Sequence, residues 1–318
     1  MILYIFIFII SCLMLFWAGK GLVTALTRIA QFLNWREFVV AFFVMAFAAS
    51  IPNLFVGISS ALHGIPQLSF GDIVGGNVID LTIAVALAAF VAKQIPAESR
   101  TVQITSLFTI LIAILPLLLI LDGILGRGDG IVLMGGFGLY SAWLFSKKER
   151  FTRVYDAQKI SIVKSFRLFL KDIGKILLGI AFLLLSAEGI IMSASFFAKN
   201  LNLPLSLIGI LLVGLGNAIP EIYFAIACAK AGDTWMILGN LMGAVIMPAT
   251  LVLGIVALIC PIKIIDFTPF AIGRFFLIIS ALFFLFFVRT DRKITKREAV
   301  FLLSIYILFV LCEVSLTR

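Results

Sequence analysis

Charge is the first thing this chain lacks. Only 13% of its 318 residues are Asp, Glu, Lys or Arg, where a soluble domain carries about 25%. The hydrophobic share is 63% and the mean hydropathy is +1.20, which excludes a water-soluble fold. Histidine is scarcer still. His63 stands alone, in a predicted loop, so histidine-based metal centres and nucleophile relays have no material. The four cysteines, Cys12, Cys228, Cys260 and Cys312, lie in or at the edges of apolar segments without CxxC spacing. They read as packed thiols, neither metal ligands nor disulfides. No repeated Asp motif or interfacial acidic pair is present, which argues against a membrane enzyme. A basic face outside the loops is also missing, so the net charge of +9 does not point to nucleic acid. The first apolar segment has no basic stretch before it and no small-residue cleavage site after it. It is expected to be a retained helix rather than a signal peptide.

What is present is a succession of ten apolar segments, near 2–19, 38–62, 70–92, 101–121, 130–146, 172–198, 205–229, 235–260, 268–288 and 299–315. Runs of about 20 residues are long enough for spanning helices and too long for barrel strands. The expected fold is an all-α integral membrane protein with ten transmembrane helices. A basic linker, 147–164, separates a first five-helix unit (1–146) from a second (165–318). With that linker in the cytoplasm, twenty of the 25 Lys and Arg fall on the cytoplasmic side and five (Arg127, Lys199, Lys263, Arg274, Arg318) on the other. The bias predicts a multi-pass cell-membrane protein with both termini outside.

The halves are related by a constant offset. Pro52 and Pro220, Gly71 and Gly239, Gly75 and Gly243, Asn34 and Asn202, and Thr82 and Thr250 are each 168 apart. About thirteen identities fall on that register between residues 18 and 90 without a gap. Because the unit holds five helices, an odd number, the copies are expected to cross the membrane in opposite senses. That is an inverted repeat, with the site at the midplane where interrupted helices meet.

Two segments carry the chemistry. In Gly214-Leu215-Gly216-Asn217-Ala218-Ile219-Pro220-Glu221, a proline and a carboxylate interrupt an apolar run, and Ser50-Ile51-Pro52-Asn53 has the same layout with an amide in place of the acid. Proline strips a carbonyl of its donor, small neighbours expose it, and a carboxylate completes a set of oxygens suited to a hard cation. Glu221 and Asp80 are the expected central acids, with Ser50 and Asn53 facing them. Asp72 reads as lying nearer a helix end, as a solvated gate or structural acid as readily as a ligand. Glu188 and Lys20, at equivalent repeat positions, are expected to pair near the membrane edge. Gly71, Gly75, Gly76, Gly239 and Gly243 read as close helix packing.

These stretches, with Gly71-Asp72-Ile73-Val74-Gly75-Gly76-Asn77 and Gly239-Asn240-Leu241-Met242-Gly243-Ala244, resemble the two alpha-repeats of the cation/calcium antiporter superfamily, which includes sodium/calcium exchangers. The resemblance covers essentially the whole chain. It implies a site from Ala46, Ala49, Ser50 and Asn53 on the second helix and Gly76 and Asp80 on the third. From the second half it implies Gly214, Asn217, Ala218 and Glu221, then Ala244 and Pro248. It also implies that the first and sixth helices slide to expose the site to each side in turn. The chain departs from the family at Asn53, where a Glu is usual, at Gly76 and Ala244, where a Ser is usual, and at Pro248, where an Asn or Asp is usual. Two central carboxylates neutralise one divalent ion and match several sodium ions poorly.

The leading expectation is a secondary active antiporter moving calcium against sodium, without a cofactor. Its partners would be the lipid bilayer and small inorganic cations, without nucleic acid, and it would act as a monomer. The alternatives are a cation/proton exchanger, since a carboxylate in low dielectric can carry a proton instead of a metal, and a degenerate paralogue that no longer transports.

Overall fold

The computed structural model describes residues 1–32, 48–146, 162–232, 234–264 and 267–316. The chain is almost wholly helical there, as a bilayer demands, because a helix satisfies its backbone polar groups within itself. The helices are α1 (Ile2–Phe32), α2 (Ala48–Leu62), α3 (Pro66–Ala92), α4 (Arg100–Leu119) and α5 (Arg127–Ser146) in the first half. The second half contributes α6 (Ile162–Leu201), α7 (Leu205–Ala231), α8 (234–259), α9 (Phe267–Thr290) and α10 (Lys296–Leu316). Among the described residues, eight of these are long and apolar enough to cross a membrane. α5 is not one of the eight, and the segment expected to begin the second span, 38–47, lies outside the described residues, as do 147–161 of the expected linker. Two helices outrun their apolar segments. α1 continues past residue 19 to Phe32, and α6 starts at Ile162, inside the expected linker. Apolar length marks what a bilayer can cover, whereas a helix continues until its backbone meets a stop signal.

Short strands, which hydropathy gave no reason to expect, tie the helix ends together. β1 (Gln94–Pro96) pairs antiparallel with β4 (Lys293–Thr295), setting Ile95 opposite Ile294, both fully buried. β2 (Ile124–Leu125) pairs with β3 (Ile262–Lys263), setting Leu125 opposite Ile262. These pairings fix directions. α4 runs from β1 to β2 and α9 from β3 to β4, so the two helices, which touch, are antiparallel. α3 likewise ends beside β1, and α8 ends beside β3 at the opposite end of the molecule.

The offset of 168 recurs in the backbone. The first part of α3, Pro66–Ile79, corresponds to Thr234–Met247 of α8. Each passes into a π turn, Asp80–Ala84 and Pro248–Val252 respectively. Inside those turns Thr82 and Thr250 donate to the carbonyls of Val78 (2.5 Å) and Ile246 (2.6 Å). Gly64 and Gly232, after α2 and α7, take up left-handed φ of 71° and 80°, the helix-ending geometry in which glycine pays no Cβ penalty.

Two apolar cores form. The larger joins α3, α4, α5, α7, α8, α9 and α10. The smaller lies along α1 and α6, where Leu15, Leu183, Ala187 and Ile190 pack together, and reaches Ile51 and Val56 of α2. Tyr4 stacks on Phe196 at 3.8 Å, holding α1 to α6. That core also takes in Leu68 of α3 and Ile208 and Val213 of α7, so α1 and α6 pack through it onto the rest of the bundle.

Candidate cation site

The site is built on a seam where the backbones of α3 and α7 touch. A Cβ at Gly71 or Gly75 would collide with the backbone of Ser206 or Ile210. One at Gly209 would lie 2.9 Å from the Asp72 nitrogen, and one at Gly214 would lie 2.8 Å from the Gly76 nitrogen and 3.0 Å from the Asp72 carbonyl oxygen. Only glycine allows this approach. A third π turn, Gly209–Val213, carries α7 through the crossing, and such turns favour functional sites.

The seam brings two ridges together. On α3, Asp72, Gly76 and Asp80 follow at intervals of four, the spacing that stacks residues on one face. On α7, Asn217 and Glu221 do the same. Asp72, Asp80, Asn217 and Glu221 are all buried. Asn217 donates its Nδ2 to both Asp72 oxygens, each at 2.9 Å. The π turn that begins at Asp80 packs against the part of α7 that carries Glu221. Three buried atoms, Asp80 Oδ1, Glu221 Oε2 and Asn217 Oδ1, have no hydrogen-bond partner. An acceptor kept dry and unpaired costs about 1–3 kcal/mol, more if charged.

The remaining candidates fall around this seam. Gly214 and Ala218 are buried on α7, Ser50 is buried on α2, and Asn53 is half-buried one turn along. Ala49 lies in the first turn of α2, and Ala46 is outside the described residues. α2 touches both α7 and α8. Pro52 and Pro220 stand inside α2 and α7, so the carbonyls of Ala48 and Gly216 lose their usual helical donors. Ala244 and Pro248 are buried on α8 and offer no side-chain ligand. Among the described residues no three His, Cys, Asp or Glu converge on one point.

Two sequence expectations change, and one further buried acid comes into view. Asp72 is no solvated gate: it is 1% exposed, more than a turn inside α3, and bonded across the seam. Glu188 does not take Lys20 as its partner. It accepts from Ser59 Oγ at 2.5 Å and faces His63 Nε2 at 3.3 Å, while Lys20 lies over the rings of Trp17 and Tyr223. Glu313, which its place in the sequence does not single out, is fully buried near the end of α10, beside Gly273. The intervals of four linking Asp72 to Asp80 could have signalled the first of these. Nothing local signals the other two, whose neighbours come from distant helices.

A fold with a glycine-lined helix crossing, interrupted helices and inward-turned acids defines a membrane ion-transport protein. The chain belongs to the sodium/calcium exchanger protein family, which matches residues 3–146 and again 171–314. The two matched segments are themselves 168 residues apart. The sodium/calcium exchanger MaX1 of Methanosarcina acetivorans is 23% identical over 340 aligned positions, covering 95% of this chain and 97% of the relative. Among solved structures, the sodium-calcium exchanger NCX_Mj soaked with Na+ and Sr2+ superposes with a TM-score of 0.66 at 24% identity, covering 97% of this chain and 98% of that one. The H+/Ca2+ exchanger CAX superposes with a TM-score of 0.78 at 18% identity, covering 97% of this chain and 82% of that one. The chain is a multi-pass membrane protein of a cation/calcium antiporter family, a family of transporters rather than enzymes.

Proposed function

We propose that this protein is a secondary active antiporter of the cell membrane that moves calcium in exchange for sodium by alternating access at a midplane site. The carrying observation is the buried pair Asp80 and Glu221, each with an oxygen lacking a hydrogen-bond partner, beside Asn217 Oδ1 in the same condition. Two carboxylates balance one divalent ion. Asn217, Ser50, Asn53 and backbone oxygens at Ala46, Ala49, Gly214 and Ala218 complete its shell, in the six to eight oxygens that calcium takes. The names of MaX1 and NCX_Mj, both sodium/calcium exchangers, favour the same cargo.

The architecture we infer is ten spanning helices in two inverted five-helix repeats, 1–146 and 165–318, with both termini outside and the basic 147–164 linker in the cytoplasm. The antiparallel run of α4 and α9 and the π turns 168 residues apart support the inversion. The close packing of α1 on α6, with Tyr4 stacked on Phe196, supports their movement as a unit. No cofactor is needed, and one chain forms a complete site, so we infer a working monomer whose partners are the bilayer and the ions.

One observation favours proton in place of sodium as the coupling ion. Asn53 and Pro248 leave two central acids, few oxygens for several sodium ions, and a buried carboxylate exchanges a proton for a metal readily. Calcium uptake into proteoliposomes under imposed sodium or proton gradients tests both readings. We expect uptake driven by sodium, abolished by Glu221→Gln and strongly reduced by Asp80→Asn. Uptake driven by neither gradient, or untouched by both substitutions, defeats the assignment. Uptake driven by protons alone selects the second reading.

A further inference from the structure

His63 is the one histidine of the chain, and the fold brings it against a helix from the other half. It follows the last turn of α2, and its Nε2 faces Glu188 Oε2 of α6 at 3.3 Å. We propose that this pair is an acid-closed latch, in which one proton ties α6 to α2 and slows cation exchange. The effect on exchange rests on the antiporter reading and on the movement of α1 and α6. The latch itself rests on neither.

Proton counting carries the latch. His63 Nδ1 lies 2.9 Å from the Ser59 carbonyl oxygen. That oxygen can only accept, so Nδ1 holds a proton. Glu188 Oε1 accepts from Ser59 Oγ, which leaves Oε2 to meet the ring. A neutral imidazole with its proton on Nδ1 would turn a lone pair at Nε2 toward a carboxylate oxygen. Two acceptors repel, so the contact closes only when one more proton lies between Nε2 and Oε2. The imidazole side chain is the one suited to such a change between about pH 5 and 8. The latch is therefore closed in acid and opens as the pH rises. The two side chains are 49% and 46% exposed, so the proton needs no path through the core.

The pair bridges two packed units. α2 is seated on α8, where a Cβ at Gly57 would lie 2.9 Å from Val252 and 3.0 Å from Val256. α6 is seated on α1, where a Cβ at Gly189, next to Glu188, would collide with Ser11. Among the described residues, the elements around α2 bring few other charges. α8 has none, and α1 has none between the amino group of Met1 and Lys20, which lies over Trp17 and Tyr223. Glu188 is the only charged residue of α6 between Lys175 and Lys199. α3 and α7 bring Asp72, Asp80 and Glu221, all buried at the seam, and Lys230 in the last turn of α7. β3 brings Lys263, whose carbonyl accepts from Gln67.

Thermal unfolding of the purified full-length protein in detergent tests the latch, and calcium flux tests its effect. The parent, His63→Gln, Glu188→Gln and the double variant make a cycle, measured at about pH 5.5 and about pH 8. In acid each substitution should lower the Tm, and the two effects should fall short of adding. At the higher pH that coupling should vanish. Sodium-driven calcium uptake into proteoliposomes, with equal pH on both sides, should match between parent and His63→Gln at the higher pH. In acid the parent should run roughly two- to fivefold slower than His63→Gln, the range that a half-exposed ion pair supplies. No coupling in acid, or equal coupling at both pH values, overturns the latch. Coupling in acid with flux that falls equally in both proteins overturns its control of exchange. Uptake absent from both proteins defeats the antiporter reading instead, while the Tm cycle still decides the latch.

Discussion

Replacing Gly75 by alanine tests the seam directly. The added Cβ would lie 2.7 Å from the carbonyl carbon of Ile210 and 2.8 Å from its Cα, and closer still to its oxygen. Ordinary contact begins near 3.4 Å, so α3 and α7 must part by at least 3.4 − 2.7, roughly 0.7 Å. Neither contact is a flexible side-chain tip, so the shift falls on whole helices. It would stretch the Asn217–Asp72 bonds from 2.9 Å to roughly 3.6 Å, beyond hydrogen-bonding range. Asp80 and Glu221 would be drawn apart as well. Overpacking of this kind costs about 1–3 kcal/mol, and a misplacement approaching 1 Å in a site built for one geometry costs on the order of 10–100-fold in rate. We expect Gly75→Ala to lower the Tm in detergent by several degrees and calcium flux in liposomes at least tenfold. Gly135→Ala on α5, where a Cβ meets nothing within 4 Å, serves as the control and should be neutral or slightly stabilising. A Gly75→Ala protein with the Tm and flux of the parent would refute the close-contact reading of the seam.

Other outcomes follow from the same structure. Cysteines at Gln94 and Thr295, Cα partners across β1 and β4, should form an intramolecular disulfide on mild oxidation, seen as a mobility shift; no crosslink would contradict the strand pairing. Ile294→Ala removes a fully buried side chain from that clasp and should cost about 2–4 kcal/mol, read as a fall in Tm; a loss under about 0.5 kcal/mol would mean the clasp is dispensable. Glu188→Gln weakens the links to Ser59 and His63 that join α6 to α2, so a small fall in Tm, about 1 kcal/mol or less, is expected, with calcium flux altered more than stability if α6 moves. Cysteines at Lys148 and at Arg127 should react with an impermeant maleimide from opposite sides of intact cells; labelling from one side would break the proposed topology.

Much of the proposed site was legible in the chain because burial in a membrane is costly. A carboxylate or proline inside an apolar run has to be justified by function, so Glu221, Asp80, Pro52 and Pro220 could be picked out without coordinates. The repeat was legible because rigid requirements at glycine and proline keep their register across both copies. Of the readings open for Asp72, the solvated gate fell, because distance from the start of an apolar run says little about depth in the assembled bundle, and the structural role remained. Its partner, Asn217, lies 145 residues away.

By itself, the sequence determined the membrane class, the offset of 168, the burial of Asp80 and Glu221, and the close packing at Gly71 and Gly75, though not at Gly239, where a Cβ would meet nothing within 4 Å. Each follows from a local cost: charge in a low dielectric, a missing amide hydrogen, or bulk between backbones. Only the tertiary structure decided which groups meet. It set Asn217 on Asp72, turned Glu188 from Lys20 to Ser59 and His63, and joined β1 to β4 rather than to a strand of its own half. Those choices depend on how distant helices cross. The energy of a crossing is a sum over many small contacts between residues far apart in sequence, and no stretch of the chain carries that sum alone.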